Sequence, residues 1–301
     1  MRRILGTLAL VAATCCGGGA EVPPGDEPDT SLDSIDAAAD PDVVLLPVPA
    51  DQAFLPAAPG GKRWAMTWHD EFDGTLLDTA KWTVYGGTEA DPEPHRDGYW
   101  VRESVTLDGN GNLVLACYEK GGKYMDGGLG TDGGFAAAFG YFEARVILQK
   151  DEGHWFGWWM MPVQPDTAEH GGADGAEIDI VETPWAKTAM KNVNFTIHWD
   201  MPAADDKGHR GAHLGELPDP DRTKYHTFGL WWAPDVYVYY IDGVEQWRTN
   251  VGGVCQVPEY LILTDEISGT TWVMADKIEN AILPDRTLVD YVRVFSLVPA
   301  D

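Results

Sequence analysis

Basic residues are scarce in this 301-residue sequence: 21 Lys and Arg stand against 48 Asp and Glu, which gives a formal net charge of −27. Nucleic acids and anionic lipid surfaces are both bound through basic patches, so the composition disfavours both classes of partner. We expect no nucleic-acid partner and a ligand that is neutral or cationic. The acidity would equally serve to keep an exported protein soluble, and composition leaves both explanations open.

Long amphipathic helical patterns are also scarce, and after the N-terminus no apolar run is long enough to span a bilayer. Glycine (34 residues) and proline (20 residues) are plentiful, and both favour turns. Short segments rich in β-branched and aromatic residues alternate with turn signals, and the clearest are 112–118, 141–148, 154–161, 176–182, 193–199, 227–232, 236–241, 260–266 and 288–295. The pattern predicts an all-β fold in which two antiparallel sheets form a sandwich.

Cysteine is rare, with four residues in the chain. Cys15 and Cys16 lie near the N-terminus, which leaves Cys117 and Cys255 in the body of the protein. In an exported protein these two could form a disulfide. Two buried free thiols are the alternative, and the sequence is compatible with either.

The N-terminus has the features of a bacterial export signal. Arg2 and Arg3 precede an apolar run from Ile4 to Ala13, and small residues follow. We interpret residues 1–16 as a signal peptide. Cys15 or Cys16 would suit lipid attachment, although Ala stands three residues before each where a lipoprotein signal usually has Leu. We therefore expect a protein that is secreted or lipid-anchored at the cell surface, with membrane attachment only through that lipid.

An acidic segment follows the signal. Residues 20–51 contain nine Asp and Glu and no Lys or Arg, with Pro and Ala filling much of the remainder. Such a segment buries too little apolar surface to offset its ordering entropy. We predict a disordered linker over residues 17–60 and a single folded domain over residues 61–301.

The segment GAEIDIVETPW (175–185) carries three carboxylates within six residues. On a strand, Glu177 and Asp179 share one face, because successive side chains alternate. Glu182 lies five residues beyond Glu177 and would face the other way. One extra residue in a β-bulge near Ile180 and Val181 would return it to the same face.

Three carboxylates on one face repel one another, and such crowding raises at least one pKa. Retaining glycoside hydrolysis needs this condition, since one carboxylate attacks while another stays protonated as the acid. Two simpler explanations compete with catalysis. The acids could form the solvated face of the strand, or they could bind a hard cation such as Ca²⁺.

Aromatic residues accompany the acids. Trp155 and Trp159 are four residues apart in HWFGWWMMP, so they share a strand face and could stack against sugar rings. Both could instead belong to the core. His154, Phe156 and Trp158 lie on the alternate face, where core positions are expected. His198, on a later strand, either borders the same cleft or is a structural histidine.

Six segments in order resemble the glycoside hydrolases of family 16, which are endo-acting enzymes on β-linked polysaccharides. They are HDEFDGTLLDTAKW (69–82), FGYFEARVIL (139–148), GHWFGWWMMP (153–162), EIDIVE (177–182), YHTFGLWWAPDVYVYYIDG (225–243) and VDYVRVFS (289–296). EIDIVE matches the bulged E-x-D-x-x-E signature of the family and is the most specific of the six. The resemblance covers about three quarters of the chain, from about Trp68 to Val298.

This resemblance implies a jelly-roll, concanavalin-like β-sandwich with a concave substrate cleft. It assigns Glu177 as nucleophile, Asp179 as its helper and Glu182 as acid/base. Substrate contacts are expected from Trp155, Trp159, His198 and Trp185. No organic cofactor is required, and a structural Ca²⁺ on the convex side would have Glu71 and Asp290 as its ligands.

The bulged signature favours laminarinase-, agarase- or carrageenase-like members, and we expect an endo-β-glycanase acting on β-1,3- or mixed β-1,3/1,4-glucan. Phe156-Gly157-Trp158 departs from the Pro-Ala-Phe common in laminarinases, which leaves the substrate open. The alternatives are an endo-acting galactanase, a transglycosylase, a lectin-like binding module without turnover, and a surface protein that only presents an anchor. A monomer with a polysaccharide substrate is expected.

Overall fold

The computed structural model describes Leu46 and residues 54–164, 170–185, 189–200, 208–267 and 277–300. The predicted signal peptide (1–16) lies outside the described residues, as does most of the predicted linker.

Strands dominate the described part of the chain, and no α-helix occurs in it. The strands are β1 (Lys62–Asp70), β2 (Thr83–Val84), β3 (Glu93–His95), β4 (Gly98–Trp100), β5 (Val105–Leu107), β6 (Leu113–Lys120), β7 (Lys123–Asp126), β8 (Gly128–Gly130), β9 (Gly140–Ile147), β10 (His154–Pro162), β11 (Glu177–Glu182), β12 (Asn192–Trp199), β13 (His209–Glu216), β14 (His226–Ala233), β15 (Val236–Ile241), β16 (Val244–Thr249), β17 (Glu259–Ile267) and β18 (Asp285–Pro299). Short 3₁₀ helices are found at Arg102–Ser104, Gly171–Asp174 and Ile278–Asn280. Over these described residues, no helix has the length and apolar character needed to cross a membrane.

Two sheets form the sandwich, as the sequence predicts. The larger has 11 strands in the order β16-β15-β14-β9-β18-β6-β7-β4-β3, with β1 added to β18 and β5 added to β6. The smaller has seven strands in the order β13-β12-β11-β10-β17-β8-β2. Neighbouring strands are antiparallel except β4 and β7. Each of the nine predicted strand segments is a strand of the structure.

The core lies between the inner faces of the two sheets. Strand β9 contributes alternate residues Phe142, Ala144 and Val146, and β10 contributes Phe156 and Trp158, all fully buried. This period of two places the intervening side chains on the outer faces. The expectation that Phe156 and Trp158 belong to the core is therefore confirmed, and the outer face of the smaller sheet is left for a site.

Residues 54–60, which the sequence assigns to the linker, contact the folded domain. Phe54 O accepts a hydrogen bond from Tyr141 (3.2 Å), and Pro56 O accepts one from the Trp64 indole (2.7 Å). Further upstream, Leu46 forms an isolated bridge with Met66. Leu46 and Leu55 pack against a second hydrophobic cluster, on the outer face of the larger sheet.

The two cysteines of the domain are free and buried. Cys117 lies on β6, facing Asp285 of β18, and Cys255 precedes β17 and bonds to Val257 O through its thiol (3.4 Å). The sequence is compatible with a disulfide or with two buried free thiols, and the structure has the two free thiols.

Candidate active site

The three carboxylates of β11 are brought to one face by a β-bulge. Asp179 lies opposite Trp159 of β10, and Glu182 lies opposite Gly157, so β11 advances three residues while its partner advances two. The pairing with β12 has the same offset. Because Val181 still pairs with Trp158, Ile180 is the extra residue. The bulge predicted from the five-residue spacing is thus observed, and it turns Glu182 to the side of Asp179.

His198 joins this group from β12, directly opposite Glu177. Its Nε2 lies 3.8 Å from Glu177 Oε1 and 3.5 Å from Asp179 Oδ2. One ligand atom from each of the three side chains falls within 4.8 Å of the others. An imidazole is a poor partner for a hard cation such as Ca²⁺, so this arrangement suits proton chemistry better than calcium binding.

Crowding and burial perturb the protonation of the site. Burial, followed by the negative charge of Asp179, raises the pKa of Glu177 to about 7. Burial and the charges of Asp179 and Glu177 raise the pKa of Glu182 well above its usual value. Burial lowers the pKa of His198, but the hydrogen bond to Asp179 and the nearby carboxylates outweigh it and raise the pKa to about 9. Glu177 therefore loses its proton at a lower pH than Glu182 does, beside the charged imidazole of His198.

Glu182 is also held by a cluster that sequence reasoning missed. The indole N–H of Trp155 points to Glu182 Oε1 at 3.4 Å, and the Arg96 guanidinium lies 5.4 Å from the centre of that indole. Arg96 Nε in turn donates to Glu266 Oε2 (2.7 Å), the same oxygen that His95 Nε2 contacts at 2.7 Å. Glu266 sits opposite Trp155 in the β10–β17 register. The cluster therefore links the acid/base candidate to a buried ion pair.

Local sequence offered little sign of this cluster. Arg96 and Glu266 are 170 residues apart in the chain. Arg96 lies in the turn between β3 and β4 of the larger sheet and Glu266 on β17 of the smaller one, so packing between the sheets brings them together. In the structure Arg96 adopts a left-handed backbone (φ 49°), which is uncommon for a residue other than glycine and tends to occur at functional sites.

The two predicted sugar platforms, Trp155 and Trp159, lie in different surroundings. Trp155 and Trp159 do share the face of the carboxylates, but Trp155 is fully buried and has Arg96 over its ring. It does not offer an open ring face to a sugar in this structure, and its platform role stays a prediction. Trp159 is partly exposed and donates to Thr264 Oγ1 (3.2 Å), which leaves it available for stacking. Trp185 is partly exposed just beyond β11.

The residues predicted to bind Ca²⁺ do not fit that ion. Glu71 forms a bidentate pair with Arg293 (2.8 and 2.6 Å) and also contacts His69 (2.8 Å). Asp290 pairs with Arg145 at 2.5 Å. Both carboxylates are neutralised by arginines, so neither has the free negative charge that a Ca²⁺ ligand supplies. The sequence did not reveal these partners, which come from distant strands.

Comparison with known proteins identifies relatives of this site and fold. The sequence model of "Glycosyl hydrolases family 16" matches residues 92–279. The keratan-sulfate endo-1,4-beta-galactosidase of Sphingobacterium multivorum is 30% identical over 78% of this chain and 56% of its own length. Beta-porphyranase E of Zobellia galactanivorans is 28% identical over 81% of this chain and 91% of its own length. Three further curated relatives are matched over only about a third of their own length.

Among solved structures, the endo-beta-1,3-glucanase of Pyrococcus furiosus is similar to this chain with a TM-score of 0.63 and 26% identity. The match covers 80% of this chain and 97% of that one.

Proposed function

The chain belongs to glycoside hydrolase family 16, and from that premise we propose that it is an exported, retaining endo-β-glycanase. The observation that carries the proposal is the bulge in β11, which gathers Glu177, Asp179 and Glu182 on the open face of the smaller sheet. A binding module would gain nothing from three mutually repelling carboxylates, whereas acid/base chemistry needs their different protonation states.

In the proposed reaction the Glu177 carboxylate attacks the anomeric carbon of a bound sugar. The bond from that carbon to the departing oxygen breaks, and the proton of Glu182 goes to the leaving oxygen. Glu182 then takes a proton from water, whose oxygen displaces Glu177 and frees the sugar. The raised pKa of Glu182 suits its role as the acid, and the pKa of about 7 for Glu177 allows this residue to ionise near neutral pH.

Asp179 and His198 support the nucleophile in this scheme. Asp179 is almost fully buried between the two glutamates, and His198 lies within 4 Å of both Asp179 and Glu177. A charged imidazole there offsets part of the carboxylate repulsion. It therefore favours an ionised Glu177 near neutral pH.

For the substrate we propose β-1,3- or mixed β-1,3/1,4-glucan, since relatives that act on these polymers recur in the comparisons. A galactan is the second candidate, and the relatives named for keratan sulfate and porphyran support it.

Transfer to a sugar hydroxyl in place of water would use the same intermediate and would be recognised by products longer than the substrate. We further propose that the chain acts as a monomer outside the cell, either secreted or held by a lipid on Cys15 or Cys16. Its signal-like N-terminus supports this location.

Release of reducing ends tests the proposal. The purified chain would be incubated with laminarin, mixed-linkage glucan, agarose, κ-carrageenan and keratan sulfate. Glu177→Gln is the test variant, and Glu245→Gln, at an exposed position on β16 of the larger sheet, is its matched control. We expect one polymer to be cut by the wild type and by Glu245→Gln, and not by Glu177→Gln. Proton NMR of the first products should show the β-anomer.

Two outcomes would contradict the proposal. A folded Glu177→Gln protein with wild-type turnover would exclude this residue as nucleophile. First products in the α-configuration would exclude a retaining mechanism. Binding of a glycan without bond cleavage by the wild type would instead indicate a lectin-like module.

A further inference from the structure

A second group of reactive side chains lies beneath the cleft, between the two sheets. One ligand atom each from Cys117, His154 and Asp265 falls within 4.8 Å of the others, and all three residues are essentially inaccessible to solvent. The proposed glycosidase reaction uses none of them.

The strand register explains why these residues meet. Asp265 lies on β17 opposite Phe156, two positions along from the partner of His154, so the two side chains are diagonal neighbours on the inner face. Cys117 lies on β6 of the facing sheet, opposite Asp285. The cluster therefore joins the two sheets. Along β10 and β17, its ligands alternate with residues that face the cleft.

Asp285 orients the imidazole. His154 Nδ1 lies 2.9 Å from Asp265 Oδ1, while Nε2 lies 3.3 Å from Asp285 Oδ2. That Asp285 oxygen also accepts the backbone N–H groups of Lys150 (2.7 Å) and Asp151 (2.8 Å), so it is fixed in place. A carboxylate on the far nitrogen is the usual outer partner of a histidine that binds a metal.

Asp126 supplies a second, independent observation. It is fully buried, and neither carboxylate oxygen has a hydrogen-bond partner among the described residues. The backbone N–H of Asp265 donates to Gly127 O (2.9 Å), which brings the neighbouring residue Asp126 close to the cluster. A buried carboxylate without a partner is costly unless a cation compensates it.

We propose that Cys117, His154 and Asp265 form a buried structural site for a divalent ion of the zinc class, with Asp126 beside it as a candidate fourth ligand. Thiolate, imidazole and carboxylate together suit zinc, whereas Ca²⁺ and Mg²⁺ prefer oxygen ligands alone. Binding releases two protons, one from the Cys117 thiol and one from His154 Nδ1, and it forms the metal–sulfur and metal–nitrogen bonds in their place.

The distances need little adjustment. Zinc bonds of about 2.0–2.2 Å to nitrogen and oxygen at a tetrahedral angle would separate these atoms by roughly 3.4 Å. His154 Nδ1 and Asp265 Oδ1 are 2.9 Å apart, so a shift of about half an ångström replaces their hydrogen bond with two metal bonds. The competing state keeps an imidazolium between Asp265 and Asp285 and a protonated thiol.

Metal content of the full chain tests the proposal. Because the ligands are enclosed, the protein would be unfolded with a chelator, refolded with or without zinc chloride, desalted, and assayed by mass spectrometry of the metal. Cys117→Ser is the test variant, and Cys255→Ser, which alters the other buried thiol, is its matched control. We expect about one zinc per chain in the wild type and in the control, and a loss of at least about fivefold in Cys117→Ser.

Refolding the wild type with cobalt(II) in place of zinc makes the result independent of how the Cys117→Ser variant folds. Cobalt(II) bound through Cys117 should give a sulfur-to-metal charge-transfer absorption that Cys255→Ser retains. Substoichiometric zinc in the refolded wild type, equal zinc in Cys117→Ser, or cobalt binding without that absorption would each overturn the proposal. None of these readouts uses a polysaccharide, so the result stands whether or not the protein proves to be a glycosidase.

Discussion

Replacing Asp179 with Asn should move the pH profile of the proposed hydrolysis to lower pH. Asp179 contributes, after burial, to the raised pKa of both Glu177 and Glu182. A neighbouring negative charge favours the protonated form of a carboxyl group. Removing that charge therefore lowers both pKa values, so Glu177 ionises at a lower pH and Glu182 loses its proton at a lower pH.

The distances in the site set the size of this shift. With ligand atoms of Glu177 and Asp179 within 4.8 Å, Coulomb's law gives about 3.5 kcal/mol at an effective dielectric constant of about 20, and about 0.9 kcal/mol in bulk water. One pKa unit corresponds to about 1.4 kcal/mol, so the limits are roughly 2.5 and 0.6 units. The Glu177 side chain is 21% exposed, which indicates a shift of about one unit.

The assay is kcat/KM across pH at constant ionic strength, because this ratio reports the free enzyme. The acidic limb should lie near pH 7 in the wild type, where Glu177 ionises, and about one unit lower in Asp179→Asn. His198→Gln gives a control of opposite sign. The charge of His198 lowers the pKa of Glu177, so its removal should move the acidic limb upward.

An acidic limb that stays in place in Asp179→Asn, or that moves the same way in both variants, would refute this electrostatic account. Lower maximal activity alone would not decide the matter, since Asp179 also holds His198. Circular dichroism of both variants would establish that the sheets are intact.

Three further substitutions have defined outcomes. Trp155→Phe removes the indole N–H that reaches Glu182, the proposed acid/base; kcat should fall by up to about tenfold, the equivalent of one hydrogen bond, and urea titrations should show a smaller loss of stability than for Trp158→Ala. Trp158→Ala empties a fully buried core position and should lower the unfolding free energy by about 3–5 kcal/mol; a loss below about 1 kcal/mol in urea titrations would contradict the packing described. Glu71→Gln removes a charge partner of the buried Arg293 and should lower the unfolding free energy by about 2 kcal/mol, less than for a fully enclosed pair. In thermal melts, calcium should not stabilise the wild type; if it did so for the wild type and not for Glu71→Gln, the ion pair would be the wrong interpretation.

Much of the fold could be predicted because its longest strands have clear local patterns. In β9 the residues Phe142, Ala144 and Val146 alternate with polar or amphipathic ones, and the period of two decides which face is buried. The catalytic group followed from the same rule together with a five-residue spacing that only a bulge reconciles with a common face.

The remaining features depend on contacts between distant segments. The short strands β3 and β4 have too few residues for a periodic pattern, yet they lead to Arg96 and so to Glu266. The arginine partners of the predicted calcium ligands were missed for the same reason, because Arg145 and Arg293 reach Asp290 and Glu71 through sheet pairing rather than local sequence. Trp155 likewise could not be separated from a surface platform until Arg96 was seen above it.

The apolar residues between the carboxylates stabilise the strand by more free energy than the repulsion between the carboxylates costs. Holding Glu177 and Asp179 together as charged groups costs up to about 3.5 kcal/mol. Ile178, Ile180 and Val181 are fully buried in the core, and burial of each stabilises the fold by about 1.5–3 kcal/mol, or about 5–9 kcal/mol together. Burial of these three side chains thus outweighs the repulsion and fixes the bulged backbone. An unbulged strand would expose one of them and turn Glu182 away, so the packing that anchors the strand also selects the catalytic geometry.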